Sequence, residues 1–143
     1  MYQVALSLLG KPYVWGGDDP LAGFDCNGLV QEILKSVGAA PPARQTAQGL
    51  YNYFQPFARR GVTELGSLAF FGSSTDHISH VALMLDNSHM VEAGGGDGET
   101  LTLADAIKQN AYVRIRPITH RKDLVAVLRP VYSFENVGEG HQA

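Results

Sequence analysis

The 143-residue chain holds one cysteine, Cys26. A single thiol excludes an intramolecular disulfide and any multi-cysteine zinc knot, which leaves an inert buried sulfur or a nucleophile. Cys26 heads the run CNGLVQEILKSVG, where Leu29, Val30, Ile33, Leu34 and Val37 recur at helical intervals before Gly38, a residue suited to close a helix. A thiol in the first turn of a helix lies at the positive end of the helix dipole, among free N–H groups, and both favour the thiolate. Gly23 and Gly28 allow close backbone approach, and the Cys26 N–H is itself a candidate oxyanion donor. The competing reading is a small core residue, the common state of a lone cysteine.

A thiolate nucleophile needs a base, and the base needs a partner that fixes its tautomer. His80 opens the run HVALML, which is apolar on both faces and therefore reads as a central, buried strand. The next strand, HMVEA, follows Asp86, Asn87 and Ser88. If those three residues form the loop, Leu85 pairs with His89 and Ala82 with Glu92, which puts Glu92 diagonally adjacent to His80 on one face. A two-residue turn would place Glu92 on the opposite face, because a one-residue slip flips every side chain. The competing reading of Glu92 is an exposed strand carboxylate. His77, His80, His89 and Glu92 also suggest a metal site, but His89 has the wrong parity to converge with Glu92, so no metal is expected. The glycine cluster AGGGDGE lacks a Walker lysine and reads as a mobile loop beside the site.

Positioning these residues requires helices first and strands afterwards. Val4, Leu8 and Leu9 suggest a short opening helix ending at Gly10, and Thr46 to Phe54 a second short amphipathic helix with Leu50, Tyr51 and Phe54 on one side. From Gly66 the pattern changes to the short runs SLAFFG, HVALML, HMVEA, YVRIRPI and LVAVLRPV, with one further helical turn in TLTLADAIKQ. Without βαβ alternation, this order predicts an α+β fold with an antiparallel sheet. One domain over residues 1–134 is expected, with 135–143 as a flexible tail.

Hydrophobic residues are 45% and charged residues 17% of the chain, the balance of a globular protein. A net charge of -3 lacks the basic excess that nucleic acid or a broad anionic membrane contact demands. No apolar run reaches bilayer length, and MYQVALSLLG has neither the basic start nor the cleavage site of a signal peptide. No membrane association and no signal-directed export are expected. Localisation stays open.

Taken in order, KPYVWGG, GFDCNGLV opening a helix, HVALML and VEA resemble the NlpC/P60 family of papain-like cysteine peptidases. The likeness runs from Leu9 to about Pro130 and includes PARQTAQGLYN, Pro42 to Asn52, after the Cys helix. It implies a papain-like α+β fold, with N-terminal helices, including the Cys helix, packed on a central antiparallel sheet. It further implies Cys26 as nucleophile, His80 as general base and acid, and Glu92 as the residue orienting His80. Tyr13 would help hold the oxyanion or the substrate, Asp25 would bind the free amine of a stem peptide, and Asn27 would also bind substrate. Asn27 replaces the family's usual serine, Glu92 its usual His, Asn or Gln, and Ser67 a common aspartate, the last read as a packing or loop change. Trp15 reads as a core aromatic.

The implied activity is a cofactor-free cysteine endopeptidase cutting amide bonds of peptidoglycan stem peptides, with γ-D-glutamyl-diamino acid bonds as the expected target. The alternative is a phage tail-tip or other structural module on the same fold with weak or no hydrolase activity, partnered by virion or tail components. Acyl transfer involving lipid fits less well, because relatives of that kind usually present histidine before cysteine.

Overall fold

The computed structural model describes residues 1–19, 23–96 and 99–133. The flexible tail expected at 135–143 lies outside them. In chain order the elements are α1 (Tyr2–Ser7), β1 (Asp18–Asp19), β2 (Gly23–Phe24), α2 (Cys26–Lys35), α3 (Ala47–Phe54), β3 (Arg59–Arg60), β4 (Leu68–Ser74), β5 (His77–Met84), β6 (His89–Gly94), α4 (Leu103–Gln109), β7 (Tyr112–Pro117) and β8 (Leu124–Arg129). A 3-10 turn, Ile118–His120, links β7 to β8. The expected α+β fold is present. Among the described residues, no helix is long and apolar enough to cross a membrane.

Local sequence explains most helix boundaries. Asp25, Thr46 and Thr102 cap α2, α3 and α4 by accepting an N–H from the first turn of each, as short polar side chains do. At α4 the cap is reciprocal, because Asp105 also accepts from the Thr102 N–H. α2 carries Leu29, Val30, Ile33 and Leu34 on its buried face. Each fully buried side chain of this kind contributes about 1.5–3 kcal/mol, against about 1 kcal/mol for a cap, so packing holds the helix while the cap decides where it begins.

The main sheet runs β3-β8-β4-β5-β6-β7, and every neighbouring pair is antiparallel. β4 and β5 are interior strands, in keeping with their two-sided burial. On one face, Phe70, Val81, Leu83, Val91 and Val113 join the core formed with α2 and α3. On the other, Ala69, Phe71, Ala82, Met84 and Met90 form a smaller cluster that Ile118 packs against.

Three features go beyond the sequence reading. β5 begins at His77, not His80, because the β4–β5 hairpin carries both strands past the apolar run into polar residues. Two short strands, β1 and β2, pair within YVWGGDDPLAGFD, ahead of the Cys helix. The last strand returns to pair with β4 and with the brief β3, so it does not extend the edge beyond β7. Strand order of this kind depends on long-range pairing, which leaves no local mark.

Gly28, in the first turn of α2, is the tightest point between that helix and the preceding turn. A Cβ there would run into the Gly17 carbonyl oxygen, which also accepts the Asp25 N–H at 3.0 Å. In an exposed helix, Gly→Ala stabilises by roughly 0.5–1 kcal/mol. Here the sign should reverse: Gly28→Ala should destabilise by about 1–3 kcal/mol through overpacking. A urea midpoint that stayed level or rose would contradict this contact.

Candidate active site

Asp25 builds the start of the Cys helix. Its backbone is extended, with φ -87 and ψ -178, and its carboxylate accepts the Gly28 N–H at 2.8 Å and the Gly16 N–H at 3.0 Å. The Arg44 guanidinium donates to both carboxylate oxygens at 2.7 and 2.8 Å, and also to the Gly16 carbonyl at 2.7 Å. The resemblance assigned Asp25 to a substrate amine. In the structure its carboxylate also meets donors of the chain itself, as a nearly buried anion at a helix start must. Any ligand amine would have to share it with Arg44.

Cys26 is therefore the first residue of α2, and it is 9% exposed. Its thiol lies 3.6 Å from Asn27 Oδ1, while Asn27 Nδ2 donates to the Gln45 carbonyl at 2.5 Å. Asn27 thus ties the Cys helix to the segment ahead of α3. Its placement beside the sulfur agrees with a site residue, and its amide serves packing as well.

His80 and Glu92 meet where the sheet splits. Among the described residues, β5 and β6 pair at Leu83–Val91 and Met84–Met90, with the Leu85 N–H donating to the His89 carbonyl at 2.8 Å. This is the register of a three-residue Asp86–Ser88 loop, stabilised by Asp86 Oδ1 accepting the Ser88 and His89 N–H groups. Continued by one residue past Leu83–Val91, it sets Ala82 opposite Glu92 and so puts Glu92 diagonally across from His80. Beyond the paired rungs, β5 stays with β4 and β6 with β7. α2 packs on both diverging strands, and the split brings its N-terminus to His80.

The His80–Glu92 contact is a buried hydrogen bond, Nε2 to Oε1, at 2.6 Å, with the residues 7% and 3% exposed. Cys26 lines the same cleft as this imidazole and acts on it electrostatically. Burial alone would lower the His80 pKa, but its interactions with Cys26 and with Glu92 outweigh it and raise the value to about 9. For Glu92, burial opposes ionisation, yet the His80 hydrogen bond and the charges of His80, Arg116 and Arg121 hold it below its ordinary value. The stabilisation from a charged His80 is complete below 6.5 and is lost as pH rises through about 9. That from Glu92 is complete above 4.5 and is lost as pH falls through its depressed pKa.

Tyr13 is buried, with its ring against Gly96, and Trp15 is 55% exposed at the rim of the cleft. Trp15 as a core aromatic is thus corrected. Tyr13 and Trp15 are two apart in an extended segment and share one side, so both face the cleft. Gly94, Gly95 and Gly96 line it, with Gly94 still in β6, while Asp97 and Gly98 of the expected loop lie outside the described residues. Ser67 is fully buried and closes a turn by donating to the Val62 carbonyl and accepting the Glu64 N–H. His77 instead contacts Ser74 and His89 contacts Asp86, away from His80. Among the described residues, no group of three or more His, Cys, Asp or Glu could hold a metal ion.

Two lobes flank the sulfur. One, of about 530 Å³, is lined by His80, Glu92, Arg116 and Arg121. The other, of about 410 Å³, is lined by Asp25, Asn27, Arg44 and Gln45. Tyr13, Trp15, Cys26 and Ser79 border both, so the thiol sits at the middle of an open groove. Sequence reasoning missed Arg44, Arg116 and Arg121. Arg114 and Arg116 alternate along β7 opposite the strand of Glu92, a signal visible only once β6 and β7 are known to pair.

The arrangement of thiol, imidazole and carboxylate can perform nucleophilic acyl transfer. The chain is similar in sequence and in fold to known proteins. The bifunctional muramidase/DL-endopeptidase CwlT of Bacillus subtilis is 38% identical over 88 residues, 60% of this chain and 26% of that protein. The probable endopeptidase YafL of Escherichia coli is 34% identical over 115 residues, 77% of this chain and 45% of that one. The chain thus spans less than half the length of these relatives. Among solved structures, the peptidoglycan hydrolase RipB of Mycobacterium tuberculosis superposes with a TM-score of 0.65 at 26% identity, over 92% of this chain and 62% of that one. With the NlpC/P60 family model matching residues 10–117, across both the Cys helix and the His80–Glu92 hairpin, the chain belongs to the NlpC/P60 family.

Proposed function

We propose that the chain is a cysteine endopeptidase that hydrolyses amide bonds of peptidoglycan stem peptides, with the γ-D-glutamyl-diamino acid bond as its target. The observation that carries this reading is the buried His80–Glu92 hydrogen bond beside Cys26 at the middle of a two-sided groove. A groove open on both sides of the sulfur suits a peptide that continues beyond the scissile bond in each direction. The relatives named as a DL-endopeptidase and as a peptidoglycan hydrolase support the substrate class.

In this mechanism the Cys26 thiolate attacks the carbonyl carbon, and the Cys26 N–H and Tyr13 stabilise the oxyanion. The His80 imidazolium gives its proton to the leaving amine, which departs as the thioester forms. His80, now neutral, takes a proton from water. The hydroxide oxygen attacks the thioester, and the acid product leaves with regeneration of the thiolate and imidazolium. Glu92 keeps the ring oriented and its charged form stabilised throughout. Asp25 acts by placing Cys26, and Asn27 by fixing the first turn of α2.

Cys26→Ala should abolish release of cleaved muropeptides from peptidoglycan of defined stem composition, read by mass spectrometry. Unchanged release by the purified variant would overturn the assignment. Because His80 must be protonated to serve the leaving amine, kcat/KM should fall as pH rises through about 9. Glu92→Gln removes part of what raises that value, so the alkaline limb should move to lower pH and the rate drop about a hundredfold or more. An alkaline limb in the same place in both proteins would count against Glu92 as the partner of His80.

A further inference from the structure

The lobe on the His80 side of Cys26 has a cationic wall that the hydrolysis steps leave unused. Arg116 comes from the end of β7, and Arg121 follows the 3-10 turn at Ile118–His120. Arg121 donates through Nε and Nη2 to the two oxygens of Asp123, at 2.9 and 2.8 Å, and its guanidinium stands 5.2 Å from the centre of the Phe71 ring. Arg116 places Nε 3.8 Å from Glu92 Oε2 and turns Nη1 to the His120 ring. Arg116 Nη2 and Arg121 Nη1 make no hydrogen bond among the described residues, and both side chains are about one-third exposed or less. Arg116, Arg121 and protonated His80 therefore face only two carboxylates here, Glu92 and Asp123. The facing Gly94–Gly96 stretch brings no side chain to narrow the lobe.

The direction of the reaction decides which part of the substrate meets this wall. His80 delivers its proton to the leaving amine, so the leaving residue lies over His80, in the lobe with the arginines, and the acyl residues lie over the other lobe. Inside a stem peptide the α-carboxyl of the leaving residue is tied up in the next amide bond. A carboxylate at that position can only belong to its side chain.

We propose that Arg116 and Arg121 form a carboxylate subsite that selects a leaving diamino acid whose side chain ends in a carboxylate, as diaminopimelate does, over lysine, whose side chain ends in an ammonium group alone. The planar guanidinium groups match a carboxylate; both side chains carry the ammonium, so only diaminopimelate brings a group that offsets its repulsion. The proposal rests on the reading of Cys26 and His80 as the cleaving pair.

Binding of two peptides to the Cys26→Ala protein tests it without turnover. L-Ala-γ-D-Glu-meso-diaminopimelate and L-Ala-γ-D-Glu-L-Lys, each with its leaving-residue α-carboxyl amidated, are titrated by calorimetry. The diaminopimelate peptide should bind about tenfold tighter or more. Adding Arg116→Gln or Arg121→Gln should shrink that ratio, and both together should bring it near unity, while the Lys variants keep most of it. Equal affinities, no binding of either peptide, or a preference that survives both Gln substitutions would overturn the subsite. An Arg116 that serves only Glu92 would slow cleavage of both peptides equally in the otherwise native protein and leave the binding ratio intact, which also overturns it. Failure of the native protein to cleave either peptide counts against the hydrolase reading alone, since the binding ratio is read on a protein that cannot cleave.

Discussion

A carboxylate enclosed by protein must find donors or lose its charge, and Asp25 finds them in three separate stretches of chain. The Gly16 N–H brings in the glycine turn, the Gly28 N–H the first turn of α2, and Arg44 the segment before α3. Arg44 in turn holds the Gly16 carbonyl, so the contacts close on themselves. Cys26 follows directly in sequence, and the position of its sulfur is therefore a consequence of where Asp25 must sit. The same crowding explains why residue 28 has no side chain: the Gly17 carbonyl occupies the space.

The second constraint is the split between β5 and β6. Had the two strands stayed paired along their length, His80 and Glu92 would stand over a closed sheet with no access to the helix that carries the thiol. Pairing that stops at Leu83–Val91 leaves an opening, and the N-terminus of α2 comes to it. Burial there would ordinarily neutralise both groups. Their mutual hydrogen bond, with Cys26 on one side and the arginines on the other, keeps the imidazole and the carboxylate charged. One electrostatic balance thus maintains the reactive pair and leaves the neighbouring lobe cationic, in a chain whose overall charge is negative.

Much of this was legible in the chain. The three polar residues Asp86, Asn87 and Ser88 imply a loop whose length sets the register, and the register places Glu92 on the His80 face, where the hydrogen bond is found. Thr102 and Asp105, three apart, mark the start of α4, and Gly38 follows the end of α2 at φ +72. Trp15 and Asp25 were harder to read. Whether an aromatic is core or rim depends on what lies across from it, and an aspartate before a helix is a cap or a ligand group according to which distant cations approach it. The start of β5 at His77 was hidden for a related reason, since pairing with β4 extends a strand through residues that have no strand pattern of their own.

The sequence alone determined the single thiol at a helix start, the order of helices before strands, and the parity that puts His80 and Glu92 on one face. These are local properties, governed by spacing, capping and loop length. Only the tertiary structure decided that Arg44 meets the Asp25 carboxylate, that β8 returns beside β4, and that Arg116 and Arg121 line the lobe beside His80. Each of these joins residues far apart in the chain. Their meeting depends on how a folded core satisfies buried charge and two-sided strands, and no short stretch of sequence records that.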